Sequence, residues 1–483
     1  MLAKHTLIHF VGFGLTGIIG IVSLALYTRL LGPAAYGHYA VVMVFAFTIV
    51  PIFFDWIRVS FVRFRSEKIR INPAHLNSSV LALYGIGAAG AVTLATSLNF
   101  INLTPQFNSI WLLGLALASS QALFDLQQSV FRSDLRSIWF SFFQVMRAAF
   151  ALVLGVILVA WGMGYEGLAF GIILSYFFAG LVAAYLIKSE WRLIKLKSIR
   201  RSSILLILKF GLPVGAVALS NTALAYFDRV LLAYFTDPTT VGRYAAIADI
   251  VQKSIVFTMA VVHVAAYPLA IKQFELEGVA GAKRQVSENI TLWAALLGPC
   301  VIYLVLDAQA LVRFTIGDQY VNDAAWMLPL LVLSQLLMGL RVYVFEPILH
   351  LANKTYILLW PVAGGAVISV SAGVLMIPFF ASAGAILAGI AGQAFSLLIV
   401  IVQAKRTSMV AIPKKDLIKI FIALLAMSIT LRAAETNNWR QFLLTGIVSF
   451  FVYVFLLFVV DLKGIRRMAL EFVRMQLRYR KKS

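Results

Sequence analysis

The chain has 483 residues, of which 61% are hydrophobic and only 13% are charged. A soluble protein carries about 25% charged residues, so this composition excludes a soluble globular domain and indicates an integral membrane protein. The charge is unbalanced at +21, and the basic residues lie between apolar runs, which favours the cytoplasmic surface of a membrane over nucleic acid as their surroundings.

About 20 apolar residues are needed for a helix to cross the bilayer, and this length predicts about fourteen transmembrane helices and an all-α membrane fold. The first apolar run follows Lys4 without a clear cleavage site, so we interpret it as a helix and not a signal peptide. The thirteenth span is the shortest. The predicted spans are 7–27, 38–57, 79–98, 109–131, 138–161, 167–187, 205–227, 243–268, 290–311, 324–345, 356–378, 383–403, 417–433 and 441–460.

The Lys and Arg residues predict the orientation of these spans. Most of them, Lys68, Arg70 and Lys354 included, fall in the loops of one face, in the linker 188–204 and in the tail after residue 460. The positive-inside rule therefore predicts cytoplasmic N- and C-termini, in a bacterial inner (plasma) membrane. The basic tail has two interpretations: a helix lying on the anionic inner leaflet or a solvated topology anchor.

One segment of the sequence recurs. Residues 26–41 read LYTRLLGPAAYGHYAV and residues 231–246 read LLAYFTDPTTVGRYAA, so both contain Pro-x-x-x-Gly-x-Tyr-Ala. Each copy follows an odd-numbered span, which predicts two six-helix lobes of the same orientation. Parallel repeats of this kind are typical of transporters with a site between the halves. The predicted parts are an N-lobe (1–187), a linker (188–204), a C-lobe (205–403), two further helices (404–460) and a tail (461–483).

Three segments carry a family resemblance. TRLLGPAAYGHYAVV, YFDRVLLAYFTDPTTVGRYAA and IGDQYVNDAAWMLPLLVLSQLLMGL resemble the Wzx-type polysaccharide flippases of the multidrug/oligosaccharidyl-lipid/polysaccharide exporter superfamily. The resemblance implies two six-helix lobes around a central cationic cavity, plus two C-terminal helices. It also implies alternating-access transfer of undecaprenyl-diphosphate-linked oligosaccharide repeat units to the periplasmic leaflet. The product would be O-antigen (lipopolysaccharide), capsule or exopolysaccharide, and the implied partners are the lipid-linked oligosaccharide, membrane lipids and polysaccharide polymerase machinery.

Ionisable residues at bilayer depth are functional candidates, because a charge in the membrane is costly. Arg147 and Lys253 lie midway along the fifth and eighth spans, and either side chain suits the diphosphate of a polyprenyl lipid. Two structural alternatives remain open. Lys253 has the spacing for an ion pair with Asp249 on its own helix, and Arg147 is within reach of Asp125 on the neighbouring helix.

Further candidates lie nearer the ends of the helices. Arg341 is a third substrate-binding candidate, unless its side chain only snorkels to the cytoplasmic surface. Asp55 and Arg58 are spaced for an entrance pair that receives the diphosphate, or for a helix cap. Asp125 and Asp249 are the candidates for coupling to an ion. Asp228 and Arg229, in the segment YFDR, are expected to form a structural anchor.

Several other functions fit part of this pattern. A lipid II flippase has the same helix number and a cationic cavity, whereas a drug/cation antiporter needs buried acids that are few here. A glycan polymerase or transferase needs a large outer loop with carboxylates, which the short loops leave no room for, so no enzyme is expected. An assembly scaffold leaves the repeated halves unexplained. The single cysteine, Cys300, excludes a disulfide framework, and we expect no cofactor, no metal and no nucleic-acid partner.

Overall fold

A computed structural model describes residues 2–66, 72–101, 108–192, 194–352, 355–433 and 438–464, and these ranges contain helices and no strand. Lys68, Arg70, Lys354 and the basic tail after residue 464 lie outside the described residues. The α-helices are α1 Leu2–Val50, α2 Trp56–Ser66, α3 Pro73–Ile101, α4 Asn108–Ser133, α5 Ser137–Leu158, α6 Gly164–Leu186, α7 Lys188–Trp191, α8 Arg201–Phe235, α9 Pro238–Leu306, α10 Ala308–Thr315, α11 Val321–Gly339, α12 Glu346–Leu351, α13 Leu359–Lys405, α14 Lys414–Arg432 and α15 Trp439–Val459.

The predicted all-α membrane fold is confirmed. Within the described ranges, nine helical runs are long and apolar enough to cross a membrane, and four of them each contain two predicted spans. The thirteenth span corresponds to α14, which is not among the nine because four of its first six residues are charged. Together these helices account for the fourteen predicted spans.

Each of the four helical runs that contain two predicted spans changes direction between those spans. Helix α9 has 69 residues, which would extend about 100 Å if straight, far more than a bilayer of about 30 Å. It breaks at Gly278 (φ 63°), and the other runs break at Gly32 (φ 69°), Gly162 (φ 87°) and Ala381 (φ 45°). Three of these four residues are glycines because a positive φ carries little steric cost without a Cβ.

The chain forms two compact units, which do not follow single segments of sequence. Unit 1 comprises Met1–Lys253 and Tyr356–Ile399, and unit 2 comprises Ser254–Thr355 and Val400–Ser483. In unit 2, α14 and α15 pack through Ile420, Ala423, Met427, Leu431, Tyr453 and Leu457, and the Tyr453 hydroxyl donates to the Ala295 carbonyl at 2.7 Å. The predicted lobes 1–187 and 205–403 stay a prediction.

The two copies of the repeat contact each other within unit 1. The carbonyl oxygen of Pro238 lies against Gly37, and the carbonyl oxygen of Pro33 lies against Gly242. A Cβ atom at either glycine would overlap the facing carbonyl and the backbone nitrogen of the other glycine. The contact is therefore reciprocal, as expected of two equivalent segments that meet across a local two-fold axis.

We predict that Gly242→Ala and Gly37→Ala destabilise the protein by about 1–3 kcal/mol, the usual effect of overpacking, because backbone must move to admit each methyl group. The measurement is thermal unfolding of purified protein in detergent, followed by tryptophan fluorescence. Gly85→Ala is the matched control, since nothing lies within 4 Å of the Cβ position at Gly85. Equal melting temperatures for all three variants would contradict the reciprocal contact.

Candidate functional site

Two basic side chains lie in unit 1, in the middle of apolar helices. The guanidinium carbon of Arg147, on α5, is 4.9 Å from the centroid of the Tyr176 ring. Lys253, on α9, directs its Nζ towards Gly20, where a Cβ would lie 3.6 Å away. Among the described residues, neither cation has a carboxylate oxygen within 4.0 Å. Both side chains are half-buried, so a bound anion would find two uncompensated positive charges.

The carboxylate of Asp249 is occupied by other groups. It accepts hydrogen bonds from Arg229 Nη2 at 2.6 Å and from the Tyr36 hydroxyl at 2.6 Å. Arg229 is only 5% exposed, so this ion pair is enclosed by protein. The alternative pairing of Asp249 with Lys253, four residues along the same helix, is therefore not formed. An open ion-coupling site at Asp249 would first require Arg229 to leave.

A second carboxylate ties α8 to α9. Asp228 accepts hydrogen bonds from the Tyr244 hydroxyl and, at 2.7 Å, from the backbone N–H of Arg229. Nearby, Gln252 Nε2 donates to the Tyr226 hydroxyl at 2.6 Å. Asp228 and Arg229 thus hold two helices together, in agreement with the expected anchor.

Asp55 and Arg58 form an ion pair at 2.6 Å. Asp55 ends the π-helical segment Pro51–Asp55, and Arg58 lies in the first turn of α2. The alternative pair of Arg147 with Asp125 is absent, because no Arg147 nitrogen lies within salt-bridge distance of that carboxylate. Asp125 nevertheless interacts electrostatically with both Arg58 and Arg147. These four charged groups therefore share one region of unit 1.

Arg341 has a different environment, in unit 2. It lies in the π-helical segment Leu340–Phe345, is 1% exposed, and pairs with Glu346. A snorkelling side chain would reach water, so that alternative does not describe this residue. Its role in substrate binding stays a prediction, and its charge is already balanced by a carboxylate.

The aromatic partners of these charges were not predicted from the sequence. Tyr36 lies in the first copy of the repeat, where the second copy has Val241, so the alignment gave no sign of a hydrogen bond to Asp249. Tyr176 contacts Arg147 and, with ring centroids 5.6 Å apart, Phe124. Nothing in the local spacing connects α6 with α5 or α4 at this position.

Outside the membrane-spanning segments, Arg65 connects α2 to the linker. Arg65 Nη1 donates to Glu190 at 2.8 Å, and Arg65 Nη2 donates to Asp134 at 3.1 Å. The hydrogen bond from Arg65 lowers the pKa of Glu190, against the opposing effect of burial and with help from the Arg65 charge and from Asn77. Because the pKa of Glu190 is lowered in the folded protein, this contact stabilises the fold at pH values above the ordinary Glu pKa. That stabilisation is lost as the pH falls.

We predict that Glu190→Gln lowers the melting temperature at pH 7 and weakens its dependence on pH below about pH 5, near the ordinary Glu pKa. The wild type should lose stability more steeply over the same range, because Glu190 becomes protonated there and the glutamine of the variant does not. Thermal unfolding at a series of pH values checks this. Glu275→Gln, at an exposed position, is the control, and identical pH profiles for wild type and Glu190→Gln would contradict the expectation.

Known proteins resemble this chain in sequence and in fold. Residues 2–273 match the family described as polysaccharide biosynthesis protein, and no curated protein matches the sequence. A solved structure of the lipid II flippase MurJ in an inward closed conformation has a TM-score of 0.76 and 12% identity, covering 95% of this chain and 100% of that chain.

Two further solved structures belong to the MOP superfamily. An inward-facing multidrug resistance MATE transporter has a TM-score of 0.60 and 15% identity, covering 83% of this chain and 94% of its own. A transporter from Pyrococcus furiosus, described as having a binding pocket of reverse polarity, has a TM-score of 0.55 and 12% identity, covering 84% of this chain and 96% of its own. At these identities the likeness shows the fold: an all-α transporter fold.

Proposed function

Because the chain belongs to the polysaccharide biosynthesis protein family, we propose that this multi-pass membrane protein is a flippase for undecaprenyl-diphosphate-linked oligosaccharide. It moves the repeat unit from the cytoplasmic to the periplasmic leaflet of a bacterial inner membrane for surface polysaccharide assembly. The observation that carries the proposal is the pair of half-buried cations, Arg147 and Lys253, that have no carboxylate partner among the described residues.

An uncompensated charge at bilayer depth is costly. Two such charges in one unit therefore indicate that a bound, mobile anion balances them. A lipid diphosphate ester has that charge. The guanidinium of Arg147 can bind two phosphate oxygens at once, and the Lys253 ammonium supplies a point charge. The ring of Tyr176 supports the guanidinium through a cation–π contact. Asp55 and Arg58 are then suited to the path by which the diphosphate enters.

Transfer across the membrane requires the site to open on the other side. With both termini in the cytoplasm, the two Pro-x-x-x-Gly turns lie on the periplasmic side. The reciprocal contact of Gly37 with Gly242 and the bond from Tyr36 to Asp249 join α1 to α9, and we propose that this junction closes the site on that side. Opening towards the periplasm would separate the two copies of the repeat and break the Tyr36 bond.

Two other functions compete with this proposal. The extensive likeness to MurJ favours lipid II as a second candidate substrate, and it too is a lipid diphosphate that Arg147 and Lys253 would suit. A drug/cation antiporter would need a free buried carboxylate. Asp249 is bound by Arg229, and Asp125, which has no ion-pair partner among the described residues, lies in the same region as the cations Arg58 and Arg147. The cationic pair therefore favours either lipid diphosphate over a cationic drug.

We predict that liposomes containing the purified protein expose an undecaprenyl-diphosphate-linked oligosaccharide on the opposite leaflet. Arg147→Ala and Lys253→Ala should each slow this transfer about 10- to 100-fold, since a hydrogen bond to a charged group contributes about 1.5–3 kcal/mol. A glycan-specific lectin or glycosidase outside the vesicles provides the measurement. Arg284→Ala is the control, because Arg284 is exposed and paired with Glu277.

Correctly folded Arg147→Ala and Lys253→Ala variants with unchanged rates would refute the assigned site. Failure of the wild type to move the oligosaccharide lipid, together with transfer of lipid II, would assign the protein to peptidoglycan precursor transport. Extrusion of a cationic dye under a proton gradient, without transfer of either lipid, would support the antiporter.

A further inference from the structure

A cleft in unit 1 lies between α2, α3, α4 and the linker 188–204. It has about 330 Å³ of empty space, at the low end of the range for small-molecule sites. Its walls are formed by the apolar side chains of Phe61, Val80, Leu81, Leu126, Val130 and Ile187. Five of these six are at most 5% exposed, whereas Leu81 is 38% exposed. Leu81 therefore lies at the open edge of this space, which is termed the linker cleft.

One part of the linker cleft is polar. Asn77 and Glu190 line it there, and Asn77 Nδ2 donates a hydrogen bond to the Glu190 carboxylate at 3.2 Å. The same carboxylate accepts a hydrogen bond from Arg65, so its charge is balanced. Asn77 Oδ1 is buried and accepts no hydrogen bond from the described residues. A cleft with apolar walls and one polar end suits an amphipathic molecule.

The linker is attached to α3 beside this polar end. The backbone N–H of Lys195 donates a hydrogen bond to the Ser78 hydroxyl at 3.0 Å, and His75 Nδ1 lies 2.7 Å from the Ser198 carbonyl oxygen. His75 and Ser78 belong to the first two turns of α3. Ile194, the residue before Lys195, lines the cleft itself. The linker therefore forms one wall of the cleft.

The linker carries an excess of positive charge. Glu190 is its one acidic residue, and its exposed cations are Lys188, Arg192, Lys195, Lys197, Arg200 and Arg201. Within the described part of the chain, none of these six cations has a carboxylate oxygen within 4.0 Å. Lys188 directly follows Ile187 of the cleft wall, and Lys195 directly follows Ile194. Positive charge that no carboxylate balances therefore lies beside the cleft.

The surroundings of the cleft are those of a membrane surface. Lys188 Nζ lies 4.7 Å from the centroid of the Tyr185 ring, and Tyr185 is 68% exposed. Exposed tyrosines beside cations are typical of the boundary between hydrocarbon and water. With the predicted cytoplasmic termini, the helix ends that form the cleft lie at the inner leaflet, whose anionic lipids attract basic segments. A lipid headgroup is therefore the amphipathic partner that this position offers.

We propose that the linker cleft binds one anionic phospholipid of the inner leaflet. An acyl chain lies between the apolar walls, and the phosphate lies beside Lys188 and Lys195. A free phosphate would leave the apolar walls without a partner, and a zwitterionic phospholipid would not balance the excess positive charge. The bound lipid holds the linker against α3 and so stabilises the connection between α6 and α8. This site is separate from Arg147 and Lys253, and it does not depend on which substrate the protein transfers.

The test is native mass spectrometry of the purified protein, titrated in detergent with phosphatidylglycerol. We expect one phosphatidylglycerol to bind at a lower concentration than any further copy. The double variant Lys188→Gln/Lys195→Gln should weaken this first binding roughly 10- to 30-fold, because each Lys near an anionic lipid contributes about a fivefold factor. Leu81→Trp should weaken it roughly tenfold, because the indole at the edge of the cleft displaces part of the acyl chain.

Matched controls separate the cleft from general attraction to a basic protein. Lys272→Gln/Lys283→Gln removes the same charge at two exposed lysines of unit 2, and Leu112→Trp places an indole at an exposed position of α4. None of these three residues lines the cleft, so both control variants should retain the wild-type affinity for phosphatidylglycerol.

Four results would overturn the site. Equal loss of affinity in Lys188→Gln/Lys195→Gln and Lys272→Gln/Lys283→Gln would show that net charge alone attracts the lipid. Unchanged affinity of folded Leu81→Trp would exclude the acyl chain from the cleft. Equally tight binding of phosphatidylethanolamine would remove the role of the linker cations, and displacement of the lipid by an equal concentration of glycerol 3-phosphate would leave a phosphate site only. If Leu81→Trp does not fold, the two lysine variants decide, because their side chains are exposed.

Discussion

A charge inside a membrane protein needs a partner, and unit 1 meets this constraint in two ways. Arg229 is enclosed and bound to Asp249, whose second oxygen accepts a hydrogen bond from Tyr36. Arg147 and Lys253 have no such partner within the described residues. The first arrangement holds helices together, whereas the second leaves positive charge for a ligand. The proposed function follows from this difference between a cation that a protein carboxylate balances and cations that no protein carboxylate balances among the described residues.

The repeat shows where the two halves of the sequence have diverged. Both copies keep the glycine that permits the backbone contact between Gly37 and Gly242. Four charged residues that flank the second copy have uncharged counterparts beside the first: Asp228, Arg229, Asp249 and Lys253 align with Ser23, Leu24, Val44 and Thr48. The shared glycines therefore build the backbone contact, whereas these four charges lie beside it in the second half alone.

Much of the fold was predictable because membrane spans obey a length rule. The positive-φ glycines Gly32, Gly162 and Gly278 lie between predicted spans, so each turn coincides with a break in the apolar pattern. Ala381 has the same backbone conformation without being a glycine, and only the span length placed a turn there. The division into units was not predictable, because it depends on which helices pack together and not on their order.

The candidate site was predictable only in part. Hydropathy places Arg147 and Lys253 within apolar helices, but it does not reveal what they contact. The helical spacing of Asp249 and Lys253 favours a local pair, yet Arg229 and Tyr36, from distant parts of the chain, bind that carboxylate. Contacts between helices decide which charges are free, and a single sequence does not specify those contacts.

The central claim is that Arg147 and Lys253 bind the diphosphate of a lipid-linked glycan. The most direct measurement is an experimental structure of the protein with an undecaprenyl-diphosphate-linked oligosaccharide bound. The account predicts that phosphate oxygens lie within hydrogen-bonding distance of the Arg147 guanidinium and the Lys253 ammonium. A diphosphate bound elsewhere, with both cations contacting only protein or water, would contradict it.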